Sequence, residues 1–390
     1  MVRARLRRRG TAHALALALS LVSLLVFAAG AQALPASFWG AVPQSTLSAE
    51  QFERLGRGGV ESVRIPVDWS SLQPQAGGPI QWEGMDVLVE RAALAGIDVL
   101  PTVSGAPGWA VPSARVPGGH GATAPAHLPT SGAAATAWKA LLTAAVRRYG
   151  PEGEFWASHP AVPKRPIRTW QIGNEPNFKF FVTKPNPAEY GKLVKLSFTA
   201  LRSADPGARV VLAGLFSQPK GGRHIEIVHG SRKLVGRGSP NYFASYFLEV
   251  MYRSNPGIAS RFAAVALHPY TGTWQYLTPE IEEIRDTLRA SDDARKGLWI
   301  TELGWSSQPP QSDGSNGFAK GPQGQVNQLK GAFKLLLSKR AKWRIQRVYW
   351  FSVDDAKGVC NFCDGTGLFG AGFKPKKSWN AYVAFTGGTP

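Results

Sequence analysis

Along the chain, short runs rich in β-branched and apolar residues alternate with longer stretches in which apolar residues recur every three or four positions. The short runs fall at residues 37–42, 62–67, 98–103, 167–172, 209–215, 263–268, 298–301 and 347–351. Several lack polar alternation, as strands of a parallel sheet covered on both faces do. Between the third and fourth runs, Trp138, Leu141, Leu142, Ala145, Val146 and Tyr149 form one helical stripe. Met85, Leu88, Val89 and Ala92 form another, and Val326, Leu329, Phe333 and Leu336 a third. Helix starts are marked by Ser48 with Gln51, a capping box, and by Pro187 and Pro279 behind Asn186 and Thr278. Eight strand–helix units predict an α/β fold, a single (β/α)8 TIM barrel over residues 34–390.

A doubly wound open sheet would show the same alternation, but no G-x-G-x-x-G follows the first strand. Long Gly/Pro-rich stretches occur instead at residues 105–130, 217–241 and 306–321. Each follows a strand and precedes a helix, which places it on the barrel face that carries active sites.

The first 33 residues change the picture of where the protein works. Arg3, Arg5, Arg7, Arg8 and Arg9 precede an apolar run over about residues 14–29, and Ala31-Gln32-Ala33 follows. This is the pattern of a cleaved export signal, so a secreted, extracellular protein is expected, with an uncleaved membrane anchor as the alternative. Removing the signal takes away five arginines and lowers the formal charge from +19 to +14. So basic a chain suits nucleic acid, an anionic surface or an anionic polymer. Export argues against nucleic acid, and no zinc-finger spacing or RNA-binding aromatic motif is present. Cys360 and Cys363 are too few for a disulfide scaffold or a structural zinc site, and a local disulfide between them is expected.

The candidate chemistry sits at two strand tips. Trp170-Gln171-Ile172-Gly173-Asn174-Glu175-Pro176-Asn177 closes the fourth strand, and Leu298-Trp299-Ile300-Thr301-Glu302-Leu303-Gly304-Trp305 closes the seventh. Strands four and seven lie across an eight-strand barrel from each other, so both glutamates can converge at its mouth. Cleaving an acetal needs a proton for the leaving oxygen and a second carboxylate at the anomeric carbon. Glu175 and Glu302 are therefore the expected catalytic pair.

These motifs resemble those of the retaining glycoside hydrolases of clan A, (β/α)8 barrels with the acid/base on strand four and the nucleophile on strand seven. Over nearly all of the chain after the signal, Arg64-Ile65-Pro66-Val67-Asp68-Trp69, His268-Pro269-Tyr270 and Trp350 extend the likeness, which is closest to the xylosidase-like families 39 and 5. The resemblance implies Glu175 as acid/base and Glu302 as nucleophile in a β-glycoside hydrolase acting on oligo- or polysaccharide. It also implies that Asn174 bonds the sugar hydroxyl beside the anomeric carbon, that Arg64 holds Glu302 ionised, and that Tyr270 or His268 orients Glu302. Trp350 would floor the first sugar subsite. The chain departs from the pattern at strand three, where many clan members place a histidine and this one has Val103-Ser104-Gly105.

Of thirteen tryptophans, those at strand tips (Trp39, Trp69, Trp305, Trp350) and in loops (Trp109, Trp274) are the candidates for stacking on sugar. A non-catalytic carbohydrate-binding barrel is the rival reading. A metal-dependent hydrolase fits less well, because His268 and Asp354-Asp355 are a poor ligand set; no metal or cofactor is expected. After strand five, Lys220, Arg223, Arg232, Lys233 and Arg237, with His224 and His229, face only Glu226, which raises the prospect of an anionic polysaccharide.

Overall fold

The computed structural model describes residues 33–116, 121–310, 317–356 and 364–390. The predicted leader up to residue 32 and the expected Cys360–Cys363 bond lie outside them, and everything below concerns Ser37–Pro390. Eight parallel strands close into a barrel: β1 (Trp39–Val42), β2 (Ser62–Asp68), β3 (Asp98–Ser104), β4 (Thr169–Asn174), β5 (Arg209–Phe216), β6 (Ala264–His268), β7 (Gly297–Ile300) and β8 (Ile345–Phe351). Each pairs with its neighbours in sequence, and β8 returns to β1 through the register Trp39↔Val348 to Val42↔Phe351. The α/β reading, a single (β/α)8 barrel, holds. The fourth strand starts two residues later than its apolar run and ends on Asn174, so Glu175 stands immediately beyond the tip.

A principal helix follows every strand: α1 (Ala49–Arg57), α2 (Glu83–Leu94), α3 (Gly132–Tyr149), α4 (Pro187–Ala204), α5 (Ala244–Ser254), α6 (Leu277–Ala290), α7 (Gly321–Ser338) and α8 (Lys377–Thr386). The caps act as the sequence suggests. Ser48 Oγ accepts from Gln51 N while Gln51 Oε1 accepts from Ser48 N, and the Asn186 side chain accepts from the N–H groups of Ala188 and Glu189. In α6 the helix begins earlier than predicted, behind a 3₁₀ turn at Trp274–Tyr276, so Pro279 is its third residue. A first-turn position tolerates proline because its N–H would have no carbonyl to reach. Among the described residues no helix is long and apolar enough to cross a membrane.

The core has two parts divided by strand parity. Successive side chains of a strand point to opposite faces. In β8, Tyr349 and Phe351 join Val42, Leu100, Val211, Ala264, Ala266 and Trp299 inside the barrel, whereas Val348 and Trp350 face the helix layer. Within the Gly/Pro-rich segment after β5, His224–Val228 and Ser231–Val235 form an antiparallel hairpin. His229 and Gly230 turn it, with φ of 49° and 77°, the conformation two-residue hairpin turns favour.

Candidate active site

Four strands, β2, β4, β6 and β7, contribute to one buried cluster toward the C-terminal mouth. Arg64, from β2, is 3% exposed and makes three bonds in fork geometry. Its Nη1 donates to Glu302 Oε1 (2.5 Å), its Nη2 to Asn174 Oδ1 (2.6 Å) and its Nε to Gln171 Oε1 (2.6 Å). The Tyr270 hydroxyl donates to the other oxygen of Glu302, Oε2, at 2.6 Å. Both carboxylate oxygens of Glu302 are thus held by donors, one of them cationic. Because Asn174 offers its oxygen to Arg64, its amide nitrogen is left as a hydrogen-bond donor.

Glu175 takes φ +41°, left-handed for a non-glycine residue, directly after Gly173 at +84°. This sharp turn at the end of β4 is tied down by Glu175 N donating to Gly214 O (3.1 Å). His268, wholly buried at the tip of β6, pairs through Nδ1 with Glu175 Oε1 at 2.7 Å. Its Nε2 meets Thr301 Oγ1 at 3.0 Å. Space for the imidazole exists because residue 214 is glycine: a Cβ there would stand 1.8 Å from His268 Nε2.

These surroundings separate the protonation of the neighbouring groups. Burial above all, and next the negative charge of Glu302, push the Glu175 carboxyl well above the usual carboxylate range, with Arg64 acting the other way. Burial, then Arg64, hold His268 well below its ordinary value, so the ring is neutral. Burial first and Glu302 second raise Tyr270, which stays a hydrogen-bond donor. Donor atoms of Glu175, His268 and Glu302 lie within 4.8 Å of one another, a spacing a metal could bridge. However, Arg64 and Tyr270 occupy the Glu302 oxygens and Thr301 the second histidine nitrogen, and a divalent ion would sit against a guanidinium. The donor set suits proton handling better than metal binding.

The predicted site residues divide cleanly. Arg64, Asn174, Glu175, His268, Tyr270 and Glu302 come together. His268 differs from expectation in partner: it bonds Glu175 at 2.7 Å, stands 3.6 Å from Glu302, and is fully buried. Trp350 and Trp305 do not join the site. Both are 0% exposed in the outer layer, their indole N–H groups donating to Thr366 O and Thr271 O. The parity of β8 decides this, and Phe351, one residue on, is the aromatic that faces the mouth, its ring 6.2 Å from that of Tyr270. Trp39 and Trp69 are buried as well, and of the six stacking candidates Trp109 and Trp274 keep partial exposure. At strand three, Gly105 lies so close to Asp68 that a Cβ would meet its carboxylate at 1.8 Å, and Asp68 caps the following turn by accepting from Ser71 N.

Sequence reasoning missed Thr102, Gln171, Thr301 and Phe351. The first three carried a readable signal, each being a polar residue in or at the end of a strand otherwise buried on both faces, where polar groups need partners.

A parallel barrel with two glutamates beyond the fourth and seventh strand tips, one buried and proton-retaining, the other ion-paired, defines a glycosidase. The profile of the glycosyl hydrolase catalytic core family matches residues 174–378, a span that begins at Asn174 and includes Glu302. The chain belongs to that family. Similar solved structures include a family 39 glycoside hydrolase from Bacteroides cellulosilyticus WH2, at 19% identity and TM-score 0.58. The match covers 90% of this chain and 64% of that one, so the chain spans under two thirds of that enzyme. A monomeric β-xylosidase from Caulobacter crescentus CB15 is 17% identical with TM-score 0.61, covering 90% of this chain and 69% of its own. A family 5 enzyme from Streptomyces cattleya, solved with Manβ1-4GlcNAc, is 14% identical with TM-score 0.60, covering 90% and 80%.

Proposed function

We propose that the protein is an exported, retaining β-glycosidase that cleaves O-glycosidic bonds of oligo- or polysaccharide by double displacement. The observation that carries this reading is the closeness of the two carboxylates, whose oxygens approach within 4.8 Å. Retaining enzymes hold their carboxyl groups about 5–5.5 Å apart, whereas inverting ones leave about 6.5–9.5 Å for a water. So close a spacing leaves no room for a water between Glu302 and the anomeric carbon, which favours direct attack by the carboxylate.

In the first step Glu175, protonated because it is buried beside Glu302, gives its proton to the leaving oxygen as the C–O bond breaks. The Glu302 carboxylate, aligned by Arg64 and Tyr270, attacks the anomeric carbon and forms a glycosyl ester. Water then attacks that carbon, Glu175 now acting as base, and the ester bond breaks to return both carboxyls to their starting states. Asn174, its amide oriented by Arg64, donates to the sugar hydroxyl next to the reacting carbon. Phe351 replaces Trp350 as the aromatic of the first subsite.

The exported location rests on the leader pattern of residues 1–33. An anionic polysaccharide is one polymer that the basic segment after β5 would suit, with a narrower cationic rim than its seven basic residues suggest. Arg232 is bonded to Glu249, and Arg223 is bonded to Ser239 O and the Tyr242 hydroxyl, which leaves Lys220, Lys233 and Arg237 as the cations free to face a polymer.

The test is a set of aryl β-glycosides and cell-wall polysaccharides, neutral and acidic, with the product anomer read by NMR at early times. Retention is expected, with turnover abolished in Glu302→Ala and reduced roughly 10²–10⁴-fold in Glu175→Ala. Inverted product, or near-normal activity of Glu302→Ala, would overturn the mechanism. A salt dependence equal for neutral and acidic polymers would remove the anionic reading.

A further inference from the structure

One hydrogen-bond chain runs behind the site, and its direction is fixed at one end by a group that can only donate. Arg64 Nε, 2.6 Å from the Gln171 side chain, requires an acceptor there, so that atom is the amide oxygen. Thr102 Oγ1, set opposite by the Thr102↔Gln171 register of β3 and β4, donates to the same oxygen at 3.0 Å. The Gln171 amide nitrogen then points the other way and donates to Leu212 O (3.0 Å) and to Thr301 Oγ1 (3.3 Å). Having accepted that hydrogen, Thr301 has its own proton to place, and His268 Nε2 at 3.0 Å is its acceptor among the described residues. An Nε2 that accepts carries no proton, so in the neutral ring the hydrogen is on Nδ1, which faces Glu175 Oε1 at 2.7 Å.

We infer that Thr301, oriented by Gln171, is a positioning residue that holds His268 in its Nδ1–H tautomer, so that the imidazole donates to Glu175 Oε1 and confines the transferable proton of Glu175 to Oε2. This rests on the reading of Glu175 as the acid. The opposite tautomer is disfavoured on two counts. It would press an Nε2–H against an oxygen that already receives the Gln171 hydrogen, leaving the Thr301 hydrogen without an acceptor. It would also turn a lone pair of Nδ1 toward Glu175, and the acid would then share its proton with the ring rather than with the leaving group. The charged imidazolium is disfavoured by burial and by Arg64. The titratable groups facing Glu175 are His268 from β6, Tyr270 just beyond it, Glu302 from the end of β7 and Arg64 from β2, and the Thr301–Gln171 link changes the charge of none of them.

The arrangement has a kinetic signature that simple loosening lacks. General acid catalysis matters for poor leaving groups and little for acidic ones. Thr301→Val, nearly the same shape without the hydroxyl, is expected to lose about tenfold in kcat with alkyl or sugar leaving groups and about twofold or less with a dinitrophenyl leaving group. The alkaline limb of its kcat/KM profile should move up, because the ionised Glu175 loses a guaranteed donor. Thr301→Ser should restore both. Independently of turnover, ¹⁵N spectra of labelled histidine in the wild type should show His268 protonated at Nδ1. In Gln171→Glu, where the amide donor becomes an acceptor that draws the Thr301 hydrogen, protonation should move to Nε2. A wild-type His268 protonated at Nε2, an equal loss on both substrate types, or an unmoved alkaline limb would overturn the inference. Failure of the acid assignment itself reads differently: Glu175→Ala would then lose equally with every leaving group.

Discussion

Arg64 and Glu302 form a buried ion pair at 2.5 Å, with side chains 4% and 10% exposed. The same guanidinium bonds Asn174 and Gln171, so one residue ties together Glu302, Asn174 and the hydrogen-bond chain that leads to His268. Removing it as Arg64→Met leaves Glu302 buried without its cation, and about 3–5 kcal/mol of stability should go with it. Arg64→Lys keeps a charge and loses the fork, so it should recover much of the stability and little of the turnover. Denaturant midpoints beside kcat check this, and full activity in Arg64→Lys would show that the fork geometry is dispensable.

Gly214 is predicted to be a catalytic requirement for a purely steric reason. A single methyl in Gly214→Ala would collide with His268 Nε2 and displace the imidazole from Glu175. Overpacking of this kind costs about 1–3 kcal/mol, while turnover should fall well beyond what that loss of folded protein explains. A thermal melt alongside kcat separates the two effects, and an active Gly214→Ala would mean that the ring finds its place by another route.

The two aromatics at the end of β8 should fail in opposite ways. Trp350 packs between Trp305 and Phe333 outside the barrel, and Trp350→Ala should cost about 3–5 kcal/mol, seen by chemical denaturation. Phe351, 7% exposed at the mouth, should instead show its loss mainly in KM when changed to leucine. An unfolded Phe351→Leu beside a stable Trp350→Ala would reverse the assignment.

Away from the site, Glu280 in the first turn of α6 is raised from its ordinary 4.5 to about 7, chiefly by burial, with relief from Ser217 and a further push from Glu283. The folded chain therefore keeps this proton over a range where the unfolded chain has released it. Stability should fall as pH rises from about 4.5 to about 7, by up to about 3 kcal/mol from this group. Glu280→Gln should flatten that slope, becoming more stable than wild type at pH 8 and little different near pH 4. An equal difference at both pH values would rule out the titration as its source.

Local pattern was sufficient for the barrel. Eight apolar runs and the stripes between them specify strands buried on both faces and helices buried on one, and Ser48 and Asn186 mark helix starts through contacts two or three residues away. Glu175 and Glu302 were legible for the same reason, since placement at a strand tip is a local property and barrel topology turns tips into a mouth. The inward or outward sense of each residue was not legible, because a strand apolar on both faces carries no alternation to reveal its parity; hence Trp350 read as a subsite floor although Phe351 occupies that side. Nor could the sequence tell that His268 serves Glu175 rather than Glu302, or that Thr102, Gln171 and Thr301 link it to Arg64. Those partners are 33 to 130 residues apart in the chain, and only closure of the barrel with its particular register, and the missing side chain at Gly214, brings their atoms within hydrogen-bond reach.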